Sequence, residues 1–179
     1  MSVLKTLYIA LFIIVADQIT KWAAMEFLLR PLYPLDTRAR GLVEWFAHAP
    51  ERLPYVVHEI LPFFNFVVVW NQGVSFGMFS NNLDYGPYIL IALSIIISIG
   101  FFIWMFNTQD PVNRLGIAMV IGGAIGNVFD RFRFGAVFDF LDFHIFGFHW
   151  PAFNIADSAI VIGVFILMIY AFLFEKNLQ

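Results

Sequence analysis

Four aspartates lie close together in an otherwise apolar chain, and they are the residues best suited to chemistry. The stretch that holds them runs from Gly122 to Asp157 and reads GGAIGNVFDRFRFGAVFDFLDF, then a connector rich in His and Phe, then WPAFNIAD. Its acids are Asp130, Asp139, Asp142 and Asp157. Ionisable groups beside membrane-length apolar runs are costly to keep, so this density indicates a functional site.

Asp139 and Asp157 are the pair that the spacing brings within reach of each other. Asp139 follows the third predicted helix, and Asp157 lies at the start of the fourth. Two carboxylates in a partly desolvated site cannot both ionise cheaply, so they share one proton. Such a pair can activate a water as general base and protonate a leaving amine as general acid. This is aspartic-peptidase chemistry, which needs neither a metal nor a cysteine.

Uncharged amides and one arginine surround these acids in the sequence. Gly123, Asn127 and Arg131 recur at i, i+4 and i+8 of the third helix, and Asn154 lies three residues before Asp157. We expect both asparagines to supply neutral hydrogen bonds and Arg131 to supply a fixed positive charge that holds an acid ionised.

A competing hypothesis treats the acids as helix caps and interfacial salt bridges. The adjacent Asp130 and Arg131 fit it well, and so does Asp142. The connector histidines, His144 and His149, are five residues apart without a nearby third ligand, so we interpret them as interfacial and predict no metal site.

Composition indicates an integral membrane protein. Of 179 residues, 61% are hydrophobic and only 13% are charged, whereas a soluble domain averages about 25% charged residues. The net charge of −3 and the lack of a basic cluster argue against a nucleic-acid partner. With no cysteine there is no disulfide framework, thiol nucleophile or cysteine metal site, and no cofactor is predicted.

Hydrophobic runs predict one membrane domain, residues 1–179, with four transmembrane helices. They span about 3–29, 87–106, 110–132 and 151–174. The first run has no small-residue cleavage site, so it is predicted to be a retained helix, not a signal peptide. Counting arginines would put the termini outside, but much of the excess lies in a long outer section, where that rule is weak.

The outer section, about 30–84, is predicted to hold a short amphipathic helix around Leu42 to His48 and a small β-sheet. Val67 to Val69 favour a strand, and Asn71 to Gly73 favour a turn before a second short strand. Within the first helix, Asp17 and Lys21 lie four residues apart, which favours an ion pair. That pair either only neutralises itself or supports the site.

Four blocks in this order resemble the lipoprotein signal peptidases, also called signal peptidase II. They are Asp17-x-x-Thr20-Lys21, Asn71-x-Gly73-x-Ser75-Phe76, Gly122 to Phe143, and Phe153-Asn154-x-Ala156-Asp157. Together they cover most of the chain. The resemblance implies four membrane helices with cytoplasmic termini, an outer β-cradle around residues 60 to 80, and an active site near the outer face.

The resemblance also implies roles for individual residues. Asp139 and Asp157 would be the catalytic aspartates. The supporting positions would be Asp17, Lys21, Asn71, Gly73, Asn127, Asp130, Arg131 and Asn154.

The substrates implied are lipid-modified preproteins in the bacterial inner membrane, cut before a diacylglyceryl-cysteine. Globomycin-type antibiotics would inhibit, membrane lipid would surround the enzyme, and a monomer is expected. The clearest departure from the family is a long insertion from Arg30 to about Leu61. It either packs over the site entrance or is a decorative loop.

Two other hypotheses remain open from the residues alone. A small transporter or proton-coupled channel would use membrane acids as a relay, but it predicts acids spread through the bilayer and often an internal repeat. Here the acids cluster at one end and no repeat is evident. A non-catalytic assembly factor would use the same acids only to cap helices.

Overall fold

The computed structural model describes residues 1–34, 38–73 and 85–174. In these ranges four helical segments are long and apolar enough to cross a membrane: Val3–Leu32, Gly86–Asn107, Pro111–Phe134 and Ile155–Phe174. The prediction of a multi-pass, mainly helical membrane protein is therefore confirmed. The helices are α1 (Val3–Ala23), α2 (Leu42–Ala47), α3 (Gly86–Asn107), α4 (Pro111–Phe134) and α5 (Ile155–Phe174).

The chain divides into two compact units, and each is described by itself. The first unit comprises Met1–Asp17, Ile91–Val128 and the chain from Ile155 onward. The second unit comprises Gln18–Leu90 and Phe129–Asn154. The single membrane domain of residues 1–179 stays a prediction.

The first span continues past α1 through a π-helical turn, Ala24–Leu29, and a 3-10 turn, Arg30–Leu32. The added turns contain two charged residues that form an ion pair. Unpaired charges in a membrane-spanning segment would be costly. Glu26 accepts a hydrogen bond of 2.6 Å from Arg30 Nε, and both side chains are buried. This neutralised pair is part of the first span, which reaches Leu32 instead of ending near residue 29.

Helices of the first unit approach closely at glycines. A Cβ on Gly122 would lie 2.8 Å from the Ala10 carbonyl oxygen, and one on Gly126 would lie 3.3 Å from the Ala156 Cβ. Gly122 and Gly126 are spaced four residues apart as a GxxxG pair, a spacing that lets another helix backbone approach closely. The core of the unit lies around Met105, Ile117, Val120 and Leu167.

The second unit contains an antiparallel sheet of four strands in the order β1–β2–β3–β4. They are β1 (Val57–Leu61), β2 (Phe64–Asn71), β3 (Val137–Ile145) and β4 (Phe148–His149). β2 confirms the strand predicted around Val67 to Val69. β3 was not predicted, because aspartates are depleted in strands and this segment reads as a connector. The second strand predicted after Gly73 lies outside the described residues.

The insertion contains α2, which confirms the short helix predicted around Leu42 to His48. Tyr33 donates a hydrogen bond from its hydroxyl to the Pro54 carbonyl. Burial raises the pKa of Tyr33, and the smaller effect of Arg30 lowers it. The hydroxyl therefore remains a donor at neutral pH, and it ties the two ends of the insertion together.

Candidate active site

Asp139 lies on β3 in the second unit, directly opposite Val69 of β2. Its side chain is 1% exposed. Asn71 Nδ2 donates to Oδ2 at 3.2 Å, and Asn154 Nδ2 donates to Oδ1 at 2.7 Å. The Asn71 side-chain oxygen in turn accepts a hydrogen bond from the Gly73 N–H. Each carboxylate oxygen of Asp139 thus accepts a hydrogen bond from an uncharged amide.

Asp157 lies in the first turn of α5 in the first unit. Asn127, from α4, donates a hydrogen bond of 2.7 Å from Nδ2 to Asp157 Oδ1. Asp17, from α1, accepts the Ala156 N–H at 3.0 Å. The first N–H groups of a helix have no intrahelical partner, so Asp17 satisfies one of them from another helix. A Cβ on Gly126 would lie 3.0 Å from Asp17 Oδ2, so the glycine leaves room for this carboxylate.

Asp130 is the centre of a buried hydrogen-bond network in the second unit. Lys21 Nζ lies 2.8 Å from its Oδ2, and both side chains are 1% exposed. Gln18 Nε2 donates to Oδ1 at 2.8 Å, and the Phe138 N–H donates to Oδ2 at 3.1 Å. The carboxylate therefore neutralises a buried lysine and also holds the start of β3, one residue before Asp139.

Asp17 and Lys21 each contact a residue far away in the sequence, and the ion pair expected between them stays a prediction. Asp17 bonds the start of α5 within the first unit, and Lys21 pairs with Asp130 within the second unit. Both contacts secure elements that carry a proposed catalytic aspartate. The contact of Gln18 with Asp130 was not predicted from the sequence. A neutral glutamine in an apolar run gives no signal beyond sharing a helix face with Lys21.

A sequence model described as "Signal peptidase (SPase) II" matches residues 9–173. The chain belongs to the signal peptidase II family. Among its relatives is the "Lipoprotein signal peptidase" of Thermodesulfovibrio yellowstonii, 38% identical over 175 residues, which are 98% of this chain and 95% of that protein. The protein of the same name from Methylobacterium radiotolerans is 44% identical over 106 residues, and this match spans 59% of the chain and 62% of that protein.

A solved structure titled "Bacterial membrane enzyme structure by the in meso method at 2.3 A resolution" is also similar. It superposes with a TM-score of 0.72 at 27% identity, covering 99% of this chain and 93% of that one. The sequence and fold comparisons thus agree. The chain is a multi-pass membrane protein of a peptidase family.

The four signal peptidase II blocks are divided between the two units. Asp17, Asn127 and Asp157 come together in the first unit, and Asn71 and Asp139 come together in the second. Lys21, Asp130 and Asn154 also belong to the second unit. Arg131 lies half-buried in the last turn of α4, and its expected role stays a prediction. Ser75 and Phe76 lie outside the described residues.

Asp142 has a different environment from the other acids. Asn65 Nδ2 donates to its Oδ2 at 2.9 Å, and His149 Nδ1 lies 2.9 Å from its Oδ1. The rings of His144 and His149 stack with centroids 4.7 Å apart. In the part of the chain that the structure describes, no group of three His, Cys, Asp or Glu side chains is arranged to hold a metal ion.

Proposed function

We propose that this chain is an aspartic endopeptidase that removes the signal peptide from diacylglyceryl-modified prolipoproteins. Cleavage would occur on the N-terminal side of the lipidated cysteine. Membership of the signal peptidase II family supports the substrate class, and the two relatives above carry the name lipoprotein signal peptidase.

The environment of Asp139 is the observation that carries the proposed mechanism. Its buried carboxylate accepts hydrogen bonds from the uncharged amides of Asn71 and Asn154. A carboxylate bound by uncharged donors can still gain and lose a proton. Asp130, by contrast, forms a buried ion pair with Lys21, which commits it to structure. The amide donors on both oxygens of Asp139 and the structural contacts of Asp130 together support the choice of Asp139 as the catalytic group.

Asp157 is the proposed second member of the dyad. In the cleavage step one carboxylate takes a proton from a water, whose oxygen then bonds to the scissile carbonyl carbon. The other carboxyl group, which carries the proton that the pair shares, gives that proton to the leaving amine as the C–N bond breaks. The hydrogen bond from Asn127 to Asp157 supports this role, because it fixes the orientation of one carboxylate oxygen.

The remaining family positions would support the site without exchanging protons. Asn71, Asn127 and Asn154 would orient the two carboxylates, and Gly73 would fix the Asn71 side chain. Asp17, Lys21 and Asp130 would hold the elements that carry the dyad, and Arg131 would supply a fixed positive charge.

The proposed setting is the bacterial inner membrane. We infer that the termini are cytoplasmic, that the active site lies near the outer face, and that the enzyme acts as a monomer within membrane lipid. A lipid-anchored substrate would enter sideways from the bilayer. Globomycin-type compounds would compete with it for the site.

A gel-shift cleavage assay in detergent tests the reaction, the substrate class and the dyad together. It compares a diacylglyceryl-modified preprotein with its unmodified form, using wild type, Asp139→Asn, Asp157→Asn and a control variant, Asp110→Asn. Asp110 caps the start of α4 and accepts the Val112 and Asn113 N–H groups, so the control changes an aspartate outside the proposed dyad.

The expected result is globomycin-sensitive cleavage of the lipidated form alone. Each dyad variant should lose at least about 1,000-fold in rate, whereas the control should retain normal activity. Normal cleavage by either folded dyad variant would remove that residue from the mechanism. No cleavage by folded wild type would overturn the proposed function.

A further inference from the structure

The insertion, whose described central part is residues 38–54, packs onto β2 and the end of α4, which adjoin the strand that carries Asp139. These residues belong to the second unit, together with β2, β3 and the end of α4. The contacts are specific, and two arginines make most of them. One of them, Arg52, comes from the insertion, and the other, Arg133, comes from the last turn of α4.

Arg52 caps the C-terminal end of α4. Its Nε donates to the Phe134 carbonyl oxygen at 2.7 Å, and Nη2 of the same guanidinium also donates to this oxygen. The last carbonyls of a helix have no intrahelical partner, and a cation at that end is favoured by the helix dipole. The next residue, Gly135, has φ +66, and a Cβ there would lie 2.8 Å from Arg52 Nη2. Arg52 therefore packs tightly against the chain reversal that leads from α4 into β3.

The same part of the insertion holds Trp70 on β2. The Arg52 guanidinium carbon lies 5.7 Å from the centroid of the Trp70 ring, which is within cation–π range. Trp70 Nε1 donates to the Leu53 carbonyl at 2.9 Å. The ring also packs against Phe134 and Phe138, with centroids 5.2 Å and 5.3 Å apart. Trp70 is thus fixed between the insertion and the start of β3.

Trp70 and Phe138 are opposite each other in the sheet, and each is next in sequence to a residue of the proposed site. Asn71 follows Trp70, and Asp139 follows Phe138. Successive side chains on a strand point to opposite faces. The ring contacts therefore lie on one face of the β2–β3 pair, and the hydrogen bond between Asn71 and Asp139 lies on the other face.

Arg133 attaches the helix of the insertion to the end of α4. Its Nη2 donates to the Trp45 carbonyl oxygen, and Trp45 is 1% exposed. The guanidinium carbon lies 4.6–5.6 Å from the ring centroids of four aromatic residues: Trp45, Phe46, Phe129 and Phe134. α2 therefore packs against other elements of the second unit, which argues against a merely decorative loop.

We propose that the insertion positions Asp139 for catalysis, with Arg52 as the positioning residue that fixes the α4–β3 reversal and Trp70. This inference rests on the proposed function, since it assigns Asp139 a catalytic role. Displacement of a catalytic group by about 1 Å can cost on the order of 100-fold in rate. A support next to both Asn71 and Asp139 therefore has a direct kinetic consequence.

The test measures kcat, KM and thermal stability for Arg52→Met and Arg52→Lys with the lipidated preprotein. Arg38→Met is the matched control, because Arg38 lies in the same segment and its side chain is 80% exposed. Arg38 forms an exposed ion pair with Glu44, with 3.2 Å between Nη2 and Oε2. Arg52→Met should lower kcat by about 10- to 100-fold and leave KM within about threefold. Arg52→Lys keeps the charge and one donor, so it should recover part of kcat.

A double-mutant cycle with Asn71→Ala separates positioning from general destabilisation. If Arg52 acts through the Asn71–Asp139 contact, adding Arg52→Met to Asn71→Ala should lower kcat much less than it does in wild type. The limb of the pH–rate profile that Asp139 sets should also move to higher pH in Arg52→Met, because a weakened hydrogen bond favours the ionised carboxylate less. Independent, multiplicative effects on kcat with an unchanged pH profile would overturn the proposal.

Trp70→Phe covers the case in which Arg52→Met fails to fold. This variant keeps an aromatic ring but loses the hydrogen bond to Leu53, and it should reduce kcat in the same direction. Wild-type kcat in folded Trp70→Phe and Arg52→Lys would refute the positioning role while leaving the peptidase assignment intact. Wild type that cleaves nothing would instead refute the proposed function itself.

Discussion

The buried ion pair between Lys21 and Asp130 gives a quantitative prediction about stability. The charged atoms are 2.8 Å apart, and both side chains are 1% exposed. Asp130 also accepts hydrogen bonds from Gln18 Nε2 and the Phe138 N–H. We therefore consider Lys21→Met, Asp130→Asn and the double variant.

The two single variants should differ in cost. Asp130→Asn removes the carboxylate that lies 2.8 Å from a buried lysine ammonium, and removing one partner of a buried pair costs about 3–5 kcal/mol. Lys21→Met leaves a carboxylate that still has two neutral donors, so we expect about 2–3 kcal/mol. The double variant removes both charges of this pair together, and the expected cost is about 2–4 kcal/mol. The pair should therefore show a coupling of at least about 1 kcal/mol, with a central value of about 3 kcal/mol.

Unfolding in detergent micelles, followed by circular dichroism as denaturant is added, measures these free energies. The exposed pair Arg38 and Glu44 provides the control cycle, with side chains 80% and 42% exposed. Its coupling should not exceed about 0.5 kcal/mol. If the double variant at Lys21 and Asp130 is destabilised by the full sum of the two single variants, the two charges are not coupled and the reasoning fails.

Two further predictions concern the helices of the first unit. Gly123→Ala should lower the free energy of unfolding by about 1–3 kcal/mol, because the new Cβ would lie 2.3 Å from the Ala156 carbonyl oxygen. Gly100→Ala is the control, since a Cβ there would have nothing within 4 Å, and it should be neutral or stabilising in the same unfolding assay. Burial raises the pKa of Asp110, but hydrogen bonds from the start of α4 and from a tyrosine hydroxyl lower it by more. The stabilisation from this cap is therefore complete above about pH 4, and it is lost as the pH falls through the lowered pKa of Asp110. In Asp110→Asn the free energy of unfolding should depend less on pH in this acidic range.

The membrane helices could be predicted from the sequence because hydrophobic length is a local property. Residues 87–106 contain no Asp, Glu, Lys, Arg or His, and α3 covers them. The start of α5 was less accurate, since the span was predicted from residue 151 and the helix begins at Ile155. The difference arises because Phe153 pairs with Leu141 of β3, and this contact holds the intervening chain in an extended conformation.

Long-range partners were the part that the sequence could not supply. The i, i+4 spacing in α1 predicts an ion pair between Asp17 and Lys21, but it gives no sign of the contact between Lys21 and Asp130, which lies more than a hundred residues later. The role proposed for Arg52 could not be predicted either, because its acceptor is a backbone carbonyl. Every residue has such a carbonyl, so the sequence does not show which one Arg52 binds. The identities of Asp139 and Asp157 came from the family motifs, whereas the amide environment of Asp139 needed the structure.

The short bridge between Leu141 and Phe153 also bears on how the chain tolerates change. The Phe153 carbonyl accepts the N–H groups of Phe140 and Leu141, and the Phe153 N–H donates to the Leu141 carbonyl. The hairpin between these points turns at the fully exposed Phe146 and returns before the bridge. Since the bridge fixes the residue just before Asn154, the hairpin can change length or accept an inserted peptide without shifting that asparagine. Evolutionary insertions, epitope tags and fluorescent labels should all be accommodated at this tip.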